Sequence, residues 1–498
     1  MRTTICALIL VVLAAQAFAG VTISVEKCEQ LYDRLSKDDP WLRTQCGSSL
    51  AWGEAGVLQG ILDLYEVTGN AKYLREIVRR GDRMVSHRDD ARGFKDSTGK
   101  VHKAWSMAQK YTVAEGVLLD ASGKPALELR STCYAYNGDT KVEVVPSISN
   151  FTVTVTNSFF KHTETFAGLS LDPKSARYFA KIINNPEPPL SASAGDCVGP
   201  SHLLKVIPFS DKPGLPSAQT VTLKPLWLSY CGYIGIIYHP LLRFAEIVRA
   251  DPSLKEFAPA AQRFTKAADE SYTEFRSHFR VGPKSDEGYY ITCERGGAFP
   301  YDNLPEPFNY HGGHLSAEAA LYRLTGKAVY KDHVRRMANL LKHRLKLMPG
   351  DLYVWTYWFE PLNEGYSRGQ VECDNYPVMP PKASVEDNSH GQLDILLAMQ
   401  AKRMGIAFDE VDLNRFANTF LKNVYVPGQP GFNAKVDGTP GAVKYTNAGI
   451  TGWLPLAEVN PAVYDACREV YEKRGKDSFT GLARLLLIGK SLGRDAVK

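Results

Sequence analysis

Leu64-Tyr65-Glu66-Val67-Thr68-Gly69-Asn70-Ala71-Lys72-Tyr73 returns as Leu321-Tyr322-Arg323-Leu324-Thr325-Gly326-Lys327-Ala328-Val329-Tyr330. Ahead of the first Thr-Gly, Val57, Leu58, Ile61, Leu62 and Tyr65 fall at the spacing of one helical face. Gly69 and Gly326 supply the left-handed residue that stops a helix, and a second amphipathic segment begins near Tyr73 or Tyr330. The unit is helix, glycine stop, helix. Looser copies occur at Pro240–Val248 with Leu254–Phe279, at Leu393–Met404 with Asp412–Val424, and at Leu454–Val459 with Ala462–Arg474. With Cys28–Leu35 and Gly481–Leu492 these predict roughly a dozen helices. Hairpins of this kind bury their apolar stripes when two antiparallel layers close on themselves, so the expected class is mainly α, an (α/α)6 or (α/α)7 toroid over residues 21–115 and 226–498.

Over residues 116–225 the helical period gives way to alternation, at Leu127–Leu129, Lys141–Val145, Phe151–Thr156 and Thr220–Leu223. Gly123-Lys124-Pro125 and Asn137-Gly138 punctuate these runs. The stretch is read as a β-rich insertion, with a turn and one helix over Phe166–Asn185.

Residues 1–20 carry Arg2, the apolar run Ile5 to Leu13 and the small-residue end Ala17-Phe18-Ala19-Gly20, the pattern of an export signal. A secreted or periplasmic protein follows from that reading. No stretch reaches the roughly 18 apolar residues of a membrane span. Lys+Arg 59 against Asp+Glu 54 gives a scattered +5, which argues against nucleic acid and leaves an acidic polymer as a partner. Of nine cysteines, Cys6 lies in the signal. The other eight, Cys28, Cys46, Cys133, Cys197, Cys231, Cys293, Cys373 and Cys467, permit disulfides in an exported chain.

Three polar loops stand at expected helix starts, where free N–H groups and helix dipoles gather. Asn309-Tyr310-His311-Gly312-Gly313-His314 offers two histidines and an amide able to neutralise a carboxylate or move a proton, or else to act as caps and packing residues. Its paired glycines would let a ligand approach the backbone. Tyr353-Val354-Trp355-Thr356-Tyr357-Trp358 is either core or a wall for stacking sugars. Glu386-Asp387-Asn388-Ser389-His390 combines acids that could merely cap a helix with a histidine that capping does not require. Trp52 and Glu54 at the start of the first hairpin, and Arg295, are further candidates for sugar and carboxylate contacts. No phosphate loop, HExxH, nucleophile elbow or EF-hand loop is present. No cofactor is required, and a divalent cation on Glu386 or Asp387 with a histidine is possible.

Taken in order, LAWGEAG at 50–56, LYEVTGNAKYL at 64–74, PFNYHGGHLSAEAALYRLTG at 307–326, YVWTYW at 353–358 and EDNSHGQLDILLA at 386–398 resemble exported polysaccharide lyases, nearest the (α/α)7-barrel alginate and glucuronan lyase family. The resemblance covers 47–115 and 226–490 and omits the insertion. It implies β-elimination on a uronic-acid polymer, with Asn309, His311 or His314 and Arg295 neutralising the substrate carboxylate. Tyr353, Tyr357 or His390 would then move the proton, with Glu386 and Asp387 orienting His390 or binding hydroxyls alongside Tyr310, Trp52, Glu54 and Trp355. Two other readings remain open: a glycoside hydrolase pairing Glu386 or Asp387 with Asp302 or Glu54, and a non-catalytic carbohydrate-binding envelope protein.

Overall fold

The computed structural model describes residues 22–37, 46–107, 112–131, 139–158, 161–184, 201, 203–381, 383–441 and 446–494. The expected signal, Cys6, Cys133, Cys197 and the Asn137-Gly138 turn lie outside them. Helix makes up 47% and strand 18%, and the strands form antiparallel sheets both within and beyond the 116–225 segment, so the chain is mixed α/β. The (α/α) toroid expected from the hairpin pattern is therefore corrected. Helical periodicity finds helices but says nothing about what covers their outer faces. Here the connections between helices include two-stranded hairpins, Phe279–Val281 with Gly288–Tyr290 and Lys346–Met348 with Leu352–Val354, and long irregular runs over 291–307 and 355–390.

The longer helices are α1 (Val25–Lys37), α2 (Ala55–Thr68), α3 (Lys72–Ser86), α4 (Gly232–Ala250), α5 (Ala258–Glu274), α6 (Phe308–Thr325), α7 (Ala328–Lys342), α8 (Gly391–Arg403), α9 (Glu410–Thr419), α10 (Thr446–Trp453), α11 (Ala462–Lys473) and α12 (Phe479–Ser491). The repeat reproduces its local geometry. Gly69 (φ 68°) and Gly326 (φ 73°) end α2 and α6 and donate to the Tyr65 and Tyr322 carbonyls at 2.7 and 2.8 Å. It reproduces its tertiary anchor too: Tyr73 and Lys72 converge on Glu29 of α1, and Tyr330 and Lys327 on Asp269 of α5. Each copy thus ties the start of its second helix to an acid on another helix.

α6 is packed between α4 and α8 at backbone contact. A Cβ on Gly235 would stand 2.4 Å from the Gly313 backbone, and one on Gly312 would stand 2.2 Å from the Leu393 carbonyl oxygen. The paired glycines at 312 and 313 therefore serve helix crossing, and the space read from sequence as room for a ligand is filled by neighbouring backbone.

Residues 114–225 fold into two four-stranded antiparallel sheets. One runs 204–208, 125–131, 114–119, 224–225; the other runs 162–169, 151–157, 140–146, 219–222. Leu118, Leu127 and Leu129 of the first sheet share a core with Val142, Val144, Val153 and Val155 of the second. Alternation revealed the strands at 125–131, 140–146 and 151–157, and the same alternation fills this core; the strand at 114–119, which brings Leu118, did not stand out in the sequence. Within Phe166–Asn185, where a turn and one helix were expected, the chain first completes strand 162–169 and the helix is limited to Phe179–Ile183. Cys28, Cys231, Cys293, Cys373 and Cys467 are buried free thiols. Among the described residues no helix is long and apolar enough to cross a membrane.

Gly326→Ala, whose Cβ meets open space, should cost about 1 kcal/mol through its left-handed backbone alone. Gly312→Ala should cost about 3 kcal/mol or more, because its Cβ meets main chain that cannot yield. Urea unfolding of the two variants checks the order; equal costs would refute the crossing argument.

Candidate functional site

Residues 384–388 run between two other segments. On one side the Glu386 and Tyr357 amides donate to the Trp355 and Ser384 carbonyls at 3.0 and 2.9 Å; on the other, the Asn388 and Val436 amides donate to the Ala434 and Glu386 carbonyls at 2.8 and 3.0 Å. Asp387 then turns the chain into α8. Its Oδ1 accepts from the Ser389 amide and hydroxyl and the His390 amide at 2.8, 2.6 and 3.0 Å, and its Oδ2 meets His390 Nδ1 at 2.5 Å. Burial pushes the Asp387 carboxyl up, but the hydrogen bonds from His390 and Ser389 outweigh it and hold the acid well below the usual range. An ionised Asp387 can only accept, so the shared proton belongs to Nδ1 and Nε2 is the nitrogen left to take one.

His390 keeps 34% of its side chain exposed and Asp387 keeps 30%. The imidazole makes edge contacts with Tyr357 at 5.2 Å and with Trp52 at 6.2 Å, and Trp52 meets Tyr310 at 5.7 Å. Trp52 is 45% exposed on the π-helical turn Leu50–Glu54. Trp52, Tyr310, Tyr357, Asp387 and His390, from four separate stretches of chain, thus form one aromatic and acid–base cluster open to solvent.

Beneath it lie Glu386 and Asp394, both fully buried. Glu386 Oε1 accepts the Asp387 amide at 2.8 Å, and Asp394 Oδ2 accepts the Trp355 indole N–H at 2.7 Å. The other two oxygens, Glu386 Oε2 and Asp394 Oδ1, are buried with no donor among the described residues. Burial, reinforced for Glu386 by the charges of Asp394 and Asp387, pushes both acids up, so the pair holds a proton between its oxygens. Trp355, expected to bind sugar, is buried here as the donor that fixes Asp394. Asp394 was missed in the sequence, although its place four residues after His390, one turn along the same helix face, is a usable signal.

Other candidates lie elsewhere. His311 and His314 are sealed inside the helical body: His311 Nε2 accepts the Tyr290 amide at 3.0 Å, while His314 stacks on Tyr290 at 4.1 Å with Tyr272 at 3.1 Å from its Nδ1. Asn309 is fully buried, its amide atoms closed to solvent. Tyr353 donates to Asp412 at 2.7 Å and accepts from Arg415 at 3.1 Å, against α9. Glu54 pairs with Arg80 at 3.0 Å, both fully buried. Arg295 is exposed and bound to Asp374 at 2.8 Å. Helix and strand periodicity locate a residue on a face, but whether that face looks at solvent or at another helix is settled only by packing.

Glu386, Asp387 and His390 form a group that could hold a metal ion, with one ligand atom from each within 4.8 Å of the others. No protein-family model matches the chain, and a comparison with curated proteins finds no match.

Asp394→Asn should unfold within about 1 kcal/mol of the wild type, because an amide N–H replaces the shared proton, whereas Asp394→Leu should lose about 3 kcal/mol or more; equal losses would rule out the shared proton. Burial also lowers the His311 pKa to about 3 and takes His314 well below its ordinary value. Both stay neutral when folded while the unfolded chain takes up protons below about pH 6.5, so the stability they contribute is whole above that pH and is lost as the pH falls toward 3. His311→Gln should flatten the fall in unfolding free energy between pH 6 and 4.5 by up to about 1.4 kcal/mol per pH unit, as urea titrations at each pH would reveal.

Proposed function

We propose that this protein is a polysaccharide lyase that cleaves a uronic-acid polymer by β-elimination, with His390 and Tyr357 as its proton-transfer pair. The observation that carries the reading is the edge contact of Tyr357 with an Asp387-oriented, half-exposed His390 beside the exposed Trp52. The proton at C5 of a uronate is weakly acidic, so a positioned base and a positioned acid on the leaving oxygen are what the reaction needs. His390 Nε2 takes the C5 proton, the C4–O4 bond breaks as its electrons leave with O4, and a C4–C5 double bond forms. The Tyr357 hydroxyl protonates O4. Asp387 holds the imidazole in the tautomer with Nε2 free and stabilises the imidazolium that follows. Trp52 and Tyr310 offer ring faces for sugars.

The hydrolase alternative is less well supported, because its carboxylates are committed elsewhere. Glu54 is paired with Arg80, and Asp302 accepts from the Gly296, Asp374 and Asn375 amides at 2.7 to 3.1 Å. Nothing specific favours a purely binding role. A cation held by Glu386, Asp387 and His390 would occupy one nitrogen of the imidazole, and no step of the elimination depends on it. Action on a polymer outside the cell agrees with the export signal expected at residues 1–20.

Incubation with alginate, glucuronan and neutral glycans should give new ultraviolet absorbance from the double bond on an acidic polymer only. His390→Ala and Tyr357→Phe should each lower kcat by roughly 10²- to 10⁴-fold with melting unchanged. Reducing ends without absorbance would favour the hydrolase, and full activity in both variants would overturn the assignment.

A further inference from the structure

An acidic substrate needs a cation in the cleft, and the candidates named from sequence do not supply one: Arg295 is held by Asp374, and His311, His314 and Asn309 are buried. The segment beside 386–388 provides it. Asp387 and Lys435 are directly opposed in an antiparallel bridge, flanked by the Asn388 to Ala434 and Val436 to Glu386 hydrogen bonds and by Asn388 Nδ2 donating to the Asn433 carbonyl at 2.5 Å. Directly opposed residues on antiparallel chains send their side chains to the same face, with Cβ atoms roughly 5 Å apart. The face Asp387 uses is the one that holds His390. Lys435 is itself locked in place by a tight turn: its amide donates to Thr439 at 3.2 Å, and Gly438 (φ 92°) donates back to its carbonyl at 3.1 Å. It is partly exposed, and the charge of its ammonium is felt by Asp437 two residues on, whose carboxyl it helps to hold below the ordinary range.

We infer that Lys435 is the substrate-facing cation of the cleft, gripping the carboxylate of an acidic sugar bound beside His390 and Trp52. The assignment rests on the reading of the cleft as a site for uronic-acid polymers and adds the group that would set its preference for acidic over neutral chains. An ammonium at this position offsets the repulsion between Asp387 and a uronate. It also withdraws charge from the substrate carboxylate, which makes the adjacent C5 proton easier to remove. Main-chain hydrogen bonds on that rung fix the backbone of Lys435 opposite Asp387, and its flexible stem carries the ammonium from there.

The test is calorimetric binding of oligoglucuronate, oligoalginate and a neutral cello-oligosaccharide to the full chain carrying His390→Asn, with and without Lys435→Met or Lys435→Arg, beside the absorbance assay on the two lysine variants alone. Lys435→Met is expected to weaken binding of an acidic oligomer about tenfold at low salt and to leave neutral binding unchanged. Lys435→Arg should retain most of the affinity, and the loss should shrink as salt rises. Equal acidic binding by Lys435→Met at an unchanged melting temperature would overturn the assignment even if elimination is observed. Conversely, a lysine-dependent preference for acidic oligomers without any double-bond absorbance would uphold Lys435 and sink the lyase reading instead.

Discussion

Glu386 and Asp394 are two carboxylic acids buried against each other under the loop that carries the reactive groups, and the placement of everything above them follows from how they are satisfied. An ionised carboxylate in such a place costs several kcal/mol, and two would also repel one another. One proton held by the pair removes the second charge, while the Trp355 indole and the Asp387 amide each satisfy one oxygen and leave Glu386 Oε2 and Asp394 Oδ1 without another donor. That arrangement binds three stretches of chain together: the aromatic run at 353–358, the loop at 385–390 and the first turn of α8. Tyr357 and His390 are adjacent because the segments bearing them are tied to the same acid pair.

The second constraint is steric. Glycines 235, 312 and 313 allow α4, α6 and α8 to cross at backbone distance, which fixes where α8 begins and therefore where His390 stands. The same crossing pulls the first turns of α6 inward, so His311, His314 and Asn309 are consumed in packing while Tyr310, facing another way on that helix, reaches Trp52. The histidines at the starts of α6 and α8 thus have opposite fates. Those inside are kept neutral by burial; His390, at the N-cap of α8, stays partly wet and is held by an ionised aspartate.

Chemically, the cluster separates orientation from reactivity. Asp387 spends one oxygen on its own turn and the other on His390, so the tautomer and ring position are set within the loop itself. The aromatic surface beside it comes from two other stretches, Trp52 on the Leu50–Glu54 turn and Tyr310 in the first turn of α6. The two sheets of 114–225 carry a core of their own.

Local pattern was enough for the elements themselves. The Thr-Gly repeat marked two helix ends at glycines with positive φ, the period near 3.6 located the main helices, and alternation found the strands at 125–131, 140–146, 151–157 and 219–222 but not those at 114–119, 162–169, 204–208 and 224–225. The cap chemistry of Asp387 was likewise legible, because it depends on neighbours within a few residues, whereas Trp52, which local pattern placed more readily in a core, is exposed. The way the elements assemble was not: the expected toroid gave way to a mixed α/β chain, since an amphipathic stripe specifies that a helix is covered and leaves open what covers it. Nor could sequence separate His390 from His311 and His314, or reveal Asp394 and Lys435. Their roles depend on distances between segments far apart along the chain, and those distances are fixed only when the helices cross and the buried acids find their donors.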